Sequence, residues 1–293
     1  MPRKTALDAT GTAVLLAVTL LFAANQAVIK LVTVGLQPVF FAGLRSVLAV
    51  GFVAAWMAYR RIPFDLSRAM IPAGLLIGVV FSAEFLFLFI ALDLTTLGRA
   101  SVIFYSMPVW FALMAHYGLP GEHITRIKAA GLAMAMAGTA IAILSRGHAG
   151  QGSLAGDLCA LGGAVGWAAT AFVARRPVMA QAGPERQLFW MVLVSGPILL
   201  AASPLFGPLV RDLTAAHLWW LLVQASVVVT GGFITWLWLL SAYRAATVAS
   251  FSFLTPIFAI GLGAVLFAES LEPSLAVASL LVAGGIIAIN RKA

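Results

Sequence analysis

The sequence predicts an all-α integral membrane fold of ten transmembrane helices, arranged as two inverted five-helix repeats. Three observations lead there: a composition too apolar for water, ten separable apolar runs, and a weak self-similarity between the halves of the chain. Of 293 residues, 62% are hydrophobic and only 10% charged, against roughly 25% charged in a soluble globular chain. Such a chain lacks the polar surface to stay dissolved. Its length goes instead into membrane crossings of about 20 apolar residues each.

Taking apolar runs bounded by charge, Gly or Pro gives spans near Thr12–Val34, Pro38–Tyr59, Met70–Leu92, Leu97–His116, Lys128–Leu144, Leu154–Ala174, Gln187–Leu205, Leu218–Ala242, Val248–Phe267 and Ser274–Asn290. The runs are continuously apolar rather than alternating, which excludes a β-barrel, and an open strand would leave its backbone unpaired in lipid. The first run is too long for the apolar region of a signal peptide, so it counts as the first crossing. The single Cys159 sits inside an apolar run and forms no intrachain disulfide.

The formal charge of +8 is topology information rather than a nucleic-acid surface, because the basic residues cluster between spans. With the N-terminus inside, 13 of the 18 Lys and Arg fall on the cytoplasmic side. Arg99, Arg146 and Arg211 fall outside, and Lys30 and Arg45 fall in or near spans. A multi-pass protein of the bacterial inner membrane with both termini in the cytoplasm is the expectation.

Phe22-Ala-Ala-Asn25 with Lys30 reappears as Trp167-Ala-Ala-Thr170 with Arg175, at an offset of 145 residues. Ala91-Leu92 before span four matches Ala242-Tyr243 before span nine. Pro108 is followed by Glu122, and Pro256 by Glu269, with Gly138 and Gly285 each sixteen residues beyond the acid. Their shared order points to a duplication. Five spans per half is an odd number, so the second copy lies upside down, as in alternating-access carriers whose site sits near the midplane. The polar, Gly-rich stretch Arg146–Ser153 places the boundary between repeats 1–150 and 151–293.

Ten helices as 5+5, the Ala91-Leu-x-x-Thr-Thr96 lead into span four, the mid-span Pro108, and Glu122 or Glu269 shortly after the span resemble the EamA-type drug/metabolite transporter superfamily. The resemblance covers nearly the whole chain. Within the superfamily the chain looks most like the YddG-type exporters of aromatic and other amino acids, a match that implies a small-molecule carrier.

Polar groups inside a bilayer are costly, so each is a functional candidate. Arg45 and Glu84 are the only cation and carboxylate well inside a span. Arg45 lies about 10 Å into span two at roughly 1.5 Å per residue, and Glu84 about as deep in span three. A neutralising ion pair is expected, with proton coupling or ammonium binding through Glu84 as the alternative. Lys30 falls near the end of span one, where it can reach water, and Glu122 and Glu269 fall near helix N-termini that favour negative charge. Pro108 and Pro256, near the middle of spans four and nine, read as kinks and candidate hinges.

An amphipathic solute needs an apolar wall with scattered polar groups. Phe81, Phe85, Tyr105, Trp167 and Trp238, with Asn25, Ser82 and Ser252, are the candidate substrate-binding residues, and Thr170 and Thr235 add hydroxyls. The pairs Gly74/Gly78 and Gly162/Gly166 permit close helix contact. An intramembrane enzyme is disfavoured: all four His lie at span ends or in loops, and no H-E-x-x-H or G-x-S-x-G occurs. A channel lacks a filter-like run or charged ring. No cofactor, metal or nucleic acid is called for, and a monomer in lipid suffices. The expected function is export of small metabolites, amino acids including aromatic ones above all. Proton-coupled export of hydrophobic cations is the second reading.

Overall fold

The computed structural model describes residues 8–119, 123–145, 152–243, 251 and 253–290. The helices are α1 (Ala9–Val32), α2 (Pro38–Tyr59), α3 (Met70–Leu94), α4 (Leu97–Phe104), α5 (Met107–Gly118), α6 (Arg126–Leu144) and α7 (Leu154–Ala174). They continue with α8 (Pro177–Ala182), α9 (Pro184–Ala202), α10 (Ala215–Val223), α11 (Phe233–Ala242), α12 (Leu254–Phe267) and α13 (Pro273–Asn290). Many starts carry a side-chain cap just before the apolar run: Asp8, Gln37, Thr96, Thr125 and Ser153 each accept from a backbone N–H of the first turn. Such caps satisfy donors that the helix itself leaves open.

Among the described residues, eight helical stretches are long and apolar enough to cross a membrane, and α12 and α13 are shorter apolar helices. No strand occurs among the described residues apart from an isolated bridge between Leu36 and Val210. The expected boundary stretch at 146–151, Glu122 and the candidate Ser252 lie outside the described residues.

Span four departs from expectation. It is not one kinked helix but two: α4 ends at Phe104 and α5 begins at Met107. Pro108 stands in the first turn of α5, where a missing N–H removes no intrahelical bond and the fixed φ suits helix initiation. Pro256 likewise stands in the first turn of α12. Span eight is irregular in another way, because Gln224–Gly232 between α10 and α11 is π-helical. Such wide turns in long helices are frequently found at functional sites.

The two halves are interleaved rather than side by side. α3 packs along α7, α6 along α13, α2 along α9, and α1 and α4 against α12. Each of these pairs joins the first half to the second. α1 ends where α7 begins: Lys30 Nζ donates to Thr95 O, while Asp157, in the first turn of α7, accepts from Thr95 Oγ1. The leading helices of the two halves therefore run in opposite directions. The α3–α7 contact is close because α7 has no side chain at Gly166, where a Cβ would lie 2.7 Å from Glu84 Cα. Gly74 and Gly78 admit Trp190 and Val194 of α9 on the same helix.

Overpacking a close helix contact costs about 1–3 kcal/mol. Gly166→Val should therefore lower the apparent Tm of the detergent-purified protein by several degrees in scanning fluorimetry. Gly51→Ala, at a position where an added Cβ meets nothing within 4 Å, should leave it unchanged or raise it.

Candidate functional site

One end of the bundle, where α3 finishes and α4 and α7 begin, is tied together by charge. Arg99 and Asp157 are both buried and meet at 2.7 Å. Arg99 also donates from Nε to Asp157 Oδ1 at 3.3 Å and from Nη1 to Ser145 O at 2.8 Å, and Thr95 Oγ1 completes Asp157 at 2.8 Å. Beside this knot, Glu269 accepts from the backbone N–H of Leu97 at 2.6 Å and of Gly98 at 3.2 Å. A carboxylate of the second half thus caps the helix N-terminus of the first, where the macrodipole favours it. Lys30 Nζ lies 3.9 Å from Glu269 and donates to Thr95 O at 2.6 Å and Leu92 O at 3.2 Å, capping the carbonyl end of α3. Lys30 is therefore not a residue simply reaching for water, and Arg99 is not an outer-loop charge. Arg211 closes the rim with a paired contact to Asp93 at 2.8 and 2.9 Å.

Inward of this end the pairing is incomplete. Among the described residues, Asn25 Oδ1, Gln26 Oε1, Arg45 Nε, Ser101 Oγ and Gln224 Oε1 are buried without a hydrogen-bond partner. All lie roughly 6–15 Å from the ends of their helices nearest Lys30, at about 1.5 Å per residue. Gln224 opens the π-helical segment and donates to Asn25 O at 3.1 Å, joining it to α1. Native interiors leave few polar side chains unpaired.

Arg45 is 1% exposed and Glu84 3% exposed. The expected direct ion pair is not formed. Arg45 lies over the Phe85 ring at 4.1 Å and the Phe89 ring at 4.8 Å and makes no hydrogen bond among the described residues. Glu84 accepts from Thr170 Oγ1 at 2.9 Å, a hydroxyl that it shares with Gly166 O. The two charges feel one another electrostatically without touching. A desolvated cation–π contact is worth about 2 kcal/mol, whereas burying an ion costs several kcal/mol. The rings alone do not compensate Arg45.

The aromatic candidates divide. Phe81 and Phe85 stand 4.5 Å apart on α3. Trp167 stacks on Phe104 at 4.9 Å and meets Tyr105 edge-on at 5.3 Å, while the buried Tyr105 faces Thr255 at the α4–α5 break. Ser82 turns its hydroxyl back to Gly78 O at 2.6 Å, and Thr235 does the same to Gly231 O at 2.8 Å. Trp238 is 47% exposed and packs edge-on to Tyr243, so the structure does not bring it to the others. Toward the opposite end, a cavity of about 160 Å³ is lined by Pro108, Phe111, His123, Lys128 and Arg175, with Arg175 over the Phe111 ring at 4.7 Å.

Sequence reasoning missed Gln26, Ser101 and Gln224 as orphaned groups, and Arg99 and Asp157 as a buried pair. Gln26 and Gln224 were visible as amides inside apolar runs. Nothing local in the sequence showed that Arg99 and Asp157, each at a span end, would be enclosed together.

A family model described as the EamA-like transporter family matches this chain twice, over residues 9–144 and 154–291. The chain belongs to that family. This EamA-like transporter is also similar to the uncharacterized transporter YvbV of Bacillus subtilis (strain 168), with 29% identity over 301 residues covering 98% of this chain and 93% of that one. A solved structure described as "Crystal structure of protein" shares the fold, with a TM-score of 0.67 at 20% identity over 96% of this chain and 97% of that one. The protein is thus a multi-pass membrane transporter built from two repeats, acting on small molecules.

In this EamA-like transporter, Asp157→Ala strands Arg99 as a buried unpaired charge. It should destabilise by about 3–5 kcal/mol, read by chemical denaturation in detergent. The double variant Arg99→Met, Asp157→Leu should recover more than half of that loss.

Proposed function

We propose that this protein exports small metabolites, amino acids including aromatic ones above all, from the cytoplasm by alternating access. The observation that carries this reading is the contrast between the two depths of the bundle. Polar groups near Lys30 are paired, whereas inward of them Asn25, Gln26, Arg45, Ser101 and Gln224 each keep a buried atom without a partner among the described residues, and Phe104, on α4 with Ser101, stacks on Trp167. Unpaired donors and acceptors next to an aromatic wall suit a solute with a polar head and an apolar side chain.

In this reading the Lys30–Glu269 end is the outer gate, closed here by contacts that cross from one half to the other. The basic cavity at Arg175 is the approach from the cytoplasm. The positive-inside distribution of Lys and Arg gives the direction, with both termini cytoplasmic in a bacterial inner membrane. The breaks at Pro108 and Pro256 are the hinges on which the halves tilt.

A second reading, proton-coupled export of hydrophobic cations, draws on the missing ion pair, since among the described residues Glu84 has one shared hydrogen-bond donor and no touching cation. Arg45 nearby opposes it, because its fixed positive charge repels a cationic solute.

Purified protein in liposomes separates the two. Radiolabelled phenylalanine should enter saturably and compete with other amino acids, without responding to an imposed pH gradient. Gradient-driven movement of an organic cation that disappears in Glu84→Gln, with no phenylalanine flux, would overturn the first reading in favour of the second. Glu269→Gln weakens the outer gate and should raise the labelling of a cysteine placed at Ser101 by an impermeant reagent from outside.

A further inference from the structure

The geometry points to Arg45 and Glu84 as two separate anchors for one zwitterionic solute: the guanidinium takes its carboxylate and the Glu84 carboxylate takes its ammonium. This rests on the carrier reading above and adds which atoms recognise the solute.

Arg45 carries the argument. A guanidinium has five N–H donors in a planar fork, a shape that matches a carboxylate two bonds at a time. Among the described residues it uses none of them, although it is 1% exposed. Two aromatic rings lie against it, which steady a cation without using its N–H donors. Glu84 is short of partners in the complementary sense. An ionised carboxylate has room for about four hydrogen bonds, and the one it receives comes from a hydroxyl shared with a backbone carbonyl.

The two groups approach from different sides. Glu84 faces α7 at Gly166 and Thr170, and Arg45 comes from α2 onto Phe85, the residue next to Glu84. The Phe85 ring beneath Arg45 continues into Phe81. Their charges sum to zero. A net-neutral solute that carries its own opposite charges completes both, whereas a simple cation leaves Arg45 uncompensated and a simple anion leaves Glu84 so.

Equilibrium binding to the detergent-purified protein tests this with three probes: phenylalanine, phenethylamine, which lacks the carboxylate, and 3-phenylpropionate, which lacks the ammonium. Wild type should bind phenylalanine at least about 10-fold more tightly than either truncated probe, one charge-assisted contact being worth about 10- to 100-fold. Arg45→Gln should weaken phenylalanine by that factor and leave phenethylamine unchanged, and Arg45→Lys should recover part of the loss. Glu84→Gln should weaken phenylalanine and leave 3-phenylpropionate unchanged. Arg45→Gln with Glu84→Gln keeps the site neutral and guards against a fold lost to one stranded charge. Equal wild-type affinity for the three probes overturns the two-anchor proposal and leaves an amino-acid carrier standing. So does undiminished phenylalanine binding in both single variants. No binding of phenylalanine by wild type removes the substrate reading and the anchors together.

Discussion

Inside a bilayer no water is available to complete a hydrogen bond, so every polar group must find its partner within the protein or remain a cost of several kcal/mol. That constraint organises this molecule from end to end. Where α3 gives way to α4, the carbonyls at one helix end and the N–H groups at the next start would both be orphaned. Lys30 takes the carbonyls and Glu269 takes the N–H groups, and neither belongs to the helix whose end it completes. Arg99 and Asp157 enclose each other beside them.

The same contacts are what hold the inverted halves together. Because each principal helix pair crosses from one half to the other, little of the first half's packing is independent of the second. Glycines on α7, Gly166 above all, bring the backbones close enough for Glu84 to reach Thr170, so the position of the buried carboxylate depends on side chains that are absent. The packing is also uneven. α3 follows α7 along much of its length, while α1 meets α10, the π-helical segment and α11 only sparsely.

Particular residues show how far local reasoning reaches. Arg45 and Glu84 stand out because a charge in the middle of an apolar run has few innocent explanations, and both are buried as that argument implies. That they would reach past each other, one to aromatic rings and one to a threonine, depends on side-chain directions across three helices. Trp238 and Trp167 look equivalent as aromatics within apolar runs, yet one is stacked in the centre and the other exposed. Pro108 was legible as an interruption but not as part of the first turn of a new helix, because a proline in a kink and a proline in a first turn differ only in what the preceding residues do.

The sequence by itself determined the membrane class, the approximate spans, and the two-repeat plan, because hydropathy and internal repetition are properties of the chain read in order. It also marked the two intramembrane charges. Only the tertiary structure decided which polar groups are satisfied and which are left open. Pairing is a relation between residues far apart in the chain: Glu269 with Leu97, Asp157 with Arg99, Thr170 with Glu84. What that pairing leaves over is set by such distant relations, and no single stretch of sequence contains it.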